Sequence, residues 1–123
     1  METNETTEKQ APPIKPEITI DEFMRADVRL CQIISVEKIE KRDKLYKLTI
    51  DTGLDHRVVV SAIAKMFTPE ELIWKCLPFV LNLPPKELAG VESKGMIILA
   101  ESFGDMLQLT ANGKHMGVGA IVI

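Results

Sequence analysis

Between Asp27 and Ser61 apolar side chains recur at every second position, a spacing that a strand can segregate to its two faces and a helix cannot. Val28, Leu30, Ile34 and Val36 fall on one face of a long first strand, with Arg29, Cys31, Ile33 and Ser35 on the other. From Leu45 to Asp51, Tyr46, Leu48 and Ile50 alternate with Lys47, Thr49 and Asp51. After a turn containing Asp51-Thr52-Gly53, the run Arg57 to Ser61 is rich in β-branched residues. Short connections make these three strands an antiparallel meander.

Thr68-Pro69-Glu70-Glu71-Leu72 then reads as an N-cap, a proline at the first helical position and acids in the first turn. That helix must be short, because Lys75 opens another β-like run that reaches Leu83 and stops at Pro84-Pro85. Met96 to Ala100 supplies a fifth strand, and Met106 to Leu109 with Ala120 to Ile123 supply short closing ones. Upstream, Thr19 and Glu22 fit a capping box, with Ile18 and Phe23 placed as a hydrophobic staple, so one helical turn is expected there. Residues 1–17 are Glu/Thr/Pro-rich and aperiodic, and read as a flexible leader to a domain over 18–123. Five curved strands with a short helix between the third and fourth predict an all-β fold, the OB-fold β-barrel with small terminal extensions. A small β-sandwich would lack that helix.

Charge is uneven. The 123 residues carry 15 Lys+Arg against 18 Asp+Glu, a net of -3. The leader accounts for much of the acidity, while Lys38, Lys41, Arg42, Lys44 and Lys47 crowd one ten-residue stretch against Glu40 and Asp43. Such a loop either attracts a polyanion or is a solvated hairpin turn; charge alone leaves both open. No apolar run approaches the roughly 18 residues of a membrane helix, and no apolar core follows a basic start at the N-terminus, so neither membrane nor secretion is expected. Cys31 and Cys76 each lie in an apolar stretch and read as reduced core thiols of a cytoplasmic protein.

No catalytic pattern emerges. His56 and His115 lack metal-ligand spacing to a cysteine or carboxylate pair, so no metal or cofactor is expected. Gly113, Gly117 and Gly119 read as loop glycines with no helix signal behind them. Aromatic residues are only 5% of the chain. Tyr46 alternates with core residues and Trp74 adjoins Leu72 and Ile73, so both are expected to pack inside. That argues against generic single-strand binding by stacking and leaves recognition of RNA by shape open.

The segment from Asn82 to Met96 joins a rigid Pro-Pro loop bearing Lys86 to a strand that opens Ser93-Lys94-Gly95-Met96. Gly95 admits a close backbone or ligand, and Met96 is either a core side chain behind a bulge or an exposed, polarizable contact. Asn82, Leu83, Pro85, Gly90, Ser93, Gly95, Met96 and Ile97 together resemble the signature of the tRNA-binding domain. That domain is found at the C-terminus of many bacterial methionyl-tRNA synthetases, in free-standing tRNA-binding proteins and in endothelial monocyte-activating polypeptide II. The likeness extends through Ile20 to Met24, Asp27-Val28-Arg29, Asp43-Lys44-Leu45, Val60 to Ala64 and Thr68 to Leu72. Ala62 stands where the family often has glycine, and Pro84 and Glu87 make the signature loop less basic than usual.

The resemblance implies a non-enzymatic domain that binds folded tRNA by shape, with little sequence specificity. Lys44, Lys47, Lys86 and Lys94 are the expected phosphate contacts. By family analogy Asn82, Ser93 and Met96 lie nearest the RNA, and Arg29 reaches or supports it. It also implies a homodimer, for which the outward apolar Ile33 is the expected contact, and admits an aminoacyl-tRNA synthetase as partner. The alternative is a protein-interaction module of the same fold, a synthetase accessory subunit or a secretion-type chaperone. The chaperone branch usually lacks Ser-x-Gly-Met, which this chain has.

Overall fold

A computed structural model describes residues 12–102, 105–109 and 117–123. Part of the expected leader, Gly113 and His115 lie outside the described residues. Residues 12–19 are exposed and belong to no helix or strand. Helix α1 (Ile20–Phe23) carries the expected capping box: the Thr19 hydroxyl accepts the Glu22 N–H at 3.0 Å, and the Glu22 carboxylate accepts the Thr19 N–H at 2.8 Å. Ile18 and Phe23 both stay exposed, so the staple adds no burial.

Strands β1 (Val28–Ile39), β2 (Arg42–Asp51) and β3 (His56–Ser61) form the meander. Helix α2 (Pro69–Leu72) follows, with Thr68 and Glu71 making a second capping box and Leu72 plugging the core. Strand β4 (Cys76–Val80) returns to pair antiparallel with β1, and β7 (Met96–Ile97) pairs with β4. The sheet order is therefore β3-β2-β1-β4-β7. Its two edges are brought together where the Lys94 N–H donates to the Val58 carbonyl at 2.8 Å and the Val60 N–H donates to the Ser93 hydroxyl at 2.9 Å. The all-β, five-stranded OB barrel with its helix between β3 and β4 is as expected.

Two short hairpins follow among the described residues. One, β5 (Lys86–Leu88) with β6 (Val91–Ser93), occupies the signature segment, where a plain loop was expected. The other, β8 (Leu99–Ser102) with β9 (Asp105–Gln108), splits off from β7 at Ile98, so the expected single strand over Met96–Ala100 is two. The residues after Gly119 bind the outer edge of β1: the Leu30 N–H donates to the Ala120 carbonyl at 2.9 Å and the Gly119 N–H to the Leu30 carbonyl at 2.7 Å. Gly119 holds φ +92 against the β2–β3 turn, where an added Cβ would lie 3.1 Å from the Thr52 carbonyl oxygen. It is a packing glycine there.

The core comprises Cys31, Ile33, Tyr46, Leu48, Ile50, Val59, Ile63, Phe67, Leu72, Leu77, Phe79, Leu81 and Ile97. Tyr46 is inside as expected and donates its hydroxyl proton to the Phe67 carbonyl at 2.8 Å. Burial pushes the Cys31 thiol up to about 12, and the half-buried Cys76 thiol is also raised by burial.

Two expectations are overturned. Ile33 is fully buried, with Cys31 beside it, while Val28 and Leu30 are the half-exposed face. The β1–β2 register shifts between Ile33 and Ser35, and this bulge changes which face of β1 points inward, so that beyond it Val36 packs on the core. Ile33 therefore offers no dimer contact. Trp74 is 63% exposed, not packed, and holds φ +68. That left-handed backbone costs a bulky residue about 1–3 kcal/mol.

Candidate nucleic-acid interface

The signature residues divide into those that build the barrel and those that face outward. Asn82 builds: its Oδ1 accepts the Asp27 N–H at 2.8 Å and its Nδ2 donates to the Arg25 carbonyl at 2.6 Å, tying the end of β4 to the α1–β1 junction. Ser93 also builds. It is 5% exposed and its hydroxyl accepts the Val60 N–H, so Ser93 is buried in the seam, where an RNA-facing position was expected. Gly95, at φ +148, lies where a Cβ would meet the Val80 carbonyl oxygen at 3.0 Å and Val59 Cγ2 at 3.3 Å. Its missing side chain admits a neighbouring backbone. Met96 is 50% exposed on β7, which resolves its two readings toward the surface.

The cations expected to meet phosphate are all at the surface. Lys44 is exposed at the start of β2, its carbonyl accepting the Ala64 N–H at 3.0 Å. Lys47 lies opposite Glu37 on β1, with 3.8 Å between Nζ and Oε1, and opposite Val60 on β3. Lys86 is exposed on β5 opposite Ser93, and Lys94 reaches Glu92 at 3.8 Å. Lys47 pairs with Val60 and Lys86 with Ser93, and the Ser93 hydroxyl takes the Val60 N–H across the seam. Lys44 and Lys47 on β2, with Lys86 and Lys94 on the hairpin side, thus flank the closing seam as an exposed cationic belt. The two ion pairs are long and exposed, and such pairs contribute only about 0–1 kcal/mol. Arg29, opposite Phe79 on β4, is paired with Asp27, its Nε 2.9 Å from Oδ1.

Three features escaped the sequence reading. Arg57 pins the seam: Nη1 donates to the Leu81 carbonyl at 3.0 Å and the Lys94 carbonyl at 3.3 Å, while Nε and Nη2 bind Asp55. The Arg57 guanidinium, then the Thr52 hydroxyl, hold the Asp55 carboxyl below the usual carboxylate range. The only signal was a charged residue opening a β-branched strand. A groove between the β1–β2 hairpin and α2 gathers Lys38, Arg42 and Lys65 against Asp43 and Glu71. Lys65, after the meander, carried no motif. Finally, an apolar groove runs between α1, the start of β1 and the chain end, lined by Phe23, Met24, Val28, Ile98, Val122 and Ile123.

The chain is a five-stranded OB barrel with exposed lysines on β2 and around the β5–β6 hairpin, an architecture that hosts oligonucleotide binders among other functions. Residues 28–120 match the family described as "Putative tRNA binding domain", and the chain belongs to it. It is 40% identical over 119 residues to the methionine--tRNA ligase of Porphyromonas gingivalis, covering 97% of this chain and 18% of the ligase. The Bacillus subtilis methionine--tRNA ligase is 49% identical over 89 residues, 72% of this chain and 13% of the ligase. This chain thus spans under a fifth of those relatives. Among solved structures, the MetRS-related protein of Pyrococcus horikoshii superimposes with a TM-score of 0.83 at 38% identity, covering 89% of this chain and all of that one. The CsaA chaperone of Bacillus anthracis superimposes at 0.77 with 25% identity, covering 88% of this chain.

Proposed function

We propose that this domain binds folded tRNA by shape, with little dependence on sequence, and performs no chemical step of its own. The supporting observation is the belt of Lys44, Lys47, Lys86 and Lys94 on the outer barrel surface of a tRNA-binding family member. These lysines meet phosphate and set the position of the RNA, while Met96 lies at its edge. Asn82 and Ser93 act indirectly, by holding the strands that present the lysines. Arg29 supports the β1 start through Asp27. In the cytoplasm, residues 18–123 serve as the binding unit beside an aminoacyl-tRNA synthetase, with residues 1–17 as leader.

The test compares labelled total tRNA on wild type and on a Lys44→Ala/Lys86→Ala/Lys94→Ala variant by anisotropy at low salt. Loss of most of the affinity, with an unchanged unfolding midpoint, supports the reading. Equal affinity sinks the assignment of the surface.

The apolar groove favours a second component. We propose that a second copy covers Phe23, Met24, Ile98, Val122 and Ile123, giving a homodimer with two RNA surfaces. The same groove is where a protein partner would dock if the domain were instead an interaction module, the reading that likeness to a chaperone structure keeps in view.

A further inference from the structure

Trp74 is the chain's single tryptophan, and its setting is unusual on three counts. Its indole is exposed, while Tyr46, Phe67 and Phe79 are buried. Its backbone is held at φ +68, a conformation that glycine adopts freely and a bulky side chain does not. Both backbone polar groups are nonetheless anchored: the N–H donates to the Ile33 carbonyl at 2.7 Å, and the carbonyl accepts from Gln32 Nε2 at 3.2 Å. The ring is thus presented from a rigid, strained base beside the β1 bulge.

The surroundings are polar rather than apolar. Lys75 follows directly and its Nζ donates to Gln108 Oε1 at 3.3 Å, while Gln108 Nε2 donates to the Glu71 carbonyl at 2.8 Å. Because Gln108 turns toward α2, the alternation along β9 sends Leu107 to its other face. An exposed planar ring followed by Lys75 and anchored through its carbonyl by Gln32 suits one π-face, not a broad apolar contact.

We infer that Trp74 is a stacking platform for an unpaired base of the bound RNA, a contact that tolerates any base because every base has a π-face. The inference rests on the tRNA-binding reading and adds a residue to it. It also gives the backbone strain a use: a glycine would relieve it and abolish the platform.

The single tryptophan makes the test direct. Wild type is titrated with labelled total tRNA, reading the label's anisotropy for binding and the tryptophan emission, with acrylamide quenching, for stacking. The expected result is emission change and reduced acrylamide access that track the anisotropy. Trp74→Gly is expected to keep or raise the urea midpoint while weakening tRNA binding about 5- to 150-fold, with Trp74→Phe between the two. Binding by anisotropy with unchanged emission, or Trp74→Gly at full affinity, overturns this inference and leaves the tRNA reading intact. No binding by either signal overturns both. An emission change that follows protein concentration without RNA assigns the indole to self-association and overturns the inference as well.

Discussion

Asn82 shows what a signature residue does at the scale of one side chain. Its amide spends both ends on main chain, at Asp27 and Arg25, so its loss leaves a donor and an acceptor without a protein partner at the junction that starts β1. Both bonds are solvent-exposed, so water can replace the partner and the loss is that of ordinary hydrogen bonds, about 0.5–1.5 kcal/mol. Asn82→Ala is therefore expected to lower the urea-unfolding free energy by that amount, and to weaken RNA binding only through lost folded protein. Lys86→Ala should do the reverse, lowering affinity with the midpoint unmoved. An Asn82→Ala protein of full stability with impaired binding would return Asn82 to the contact surface. Sequence reasoning found Asn82, Ser93 and Gly95 because the motif marks them. It misjudged Ser93 because a motif records which residues recur together, not whether they face solvent or a neighbouring strand.

The β5–β6 hairpin is the element that carries Lys86 and closes the barrel. Its turn residues, Ala89 at φ +52 and Gly90 at φ +78, are both left-handed, the requirement of a two-residue hairpin turn of the primed type. Alanine at the first of these is strained, whereas asparagine tolerates it. Ala89→Asn is expected to raise stability by about 0.5–1 kcal/mol in chemical denaturation, and a lowered midpoint would contradict the turn assignment. Here the limits of legibility are physical. An Asn-Gly pair would have announced the hairpin, but Ala-Gly after Pro-Pro does not, and three-residue strands show too little alternation to detect. The meander and both capped helices were legible, since their periodicity and caps are local. The β1 bulge was not, because Leu30 to Val36 is apolar on both faces and a one-residue insertion leaves no mark in such a run. Trp74 looked like core for a related reason: it follows Leu72 and Ile73, and only the backbone reversal after α2 turns it outward.

For the whole molecule, the arrangement separates two surfaces. The lysine belt crosses the β2–β3 side and the seam, while the apolar groove lies where α1 meets β1 and the chain end. A dimer through the groove would leave both belts free. Sedimentation or light scattering is expected to give twice the 13.8 kDa chain mass, and Phe23→Lys or Val122→Lys should halve it. A monomeric wild type at micromolar concentration would contradict the dimer while leaving RNA binding standing.

The salt dependence of tRNA binding tests the central claim most directly. Each phosphate contact contributes a slope of about -0.9 in log affinity against log salt. Four lysine contacts per RNA therefore predict a loss of about 150-fold between roughly 50 and 200 mM salt, and the single contact left in the triple alanine variant a loss of about 3- to 4-fold. A wild-type affinity that is flat across that range, or that shares the variant's slope, would contradict phosphate recognition by this belt.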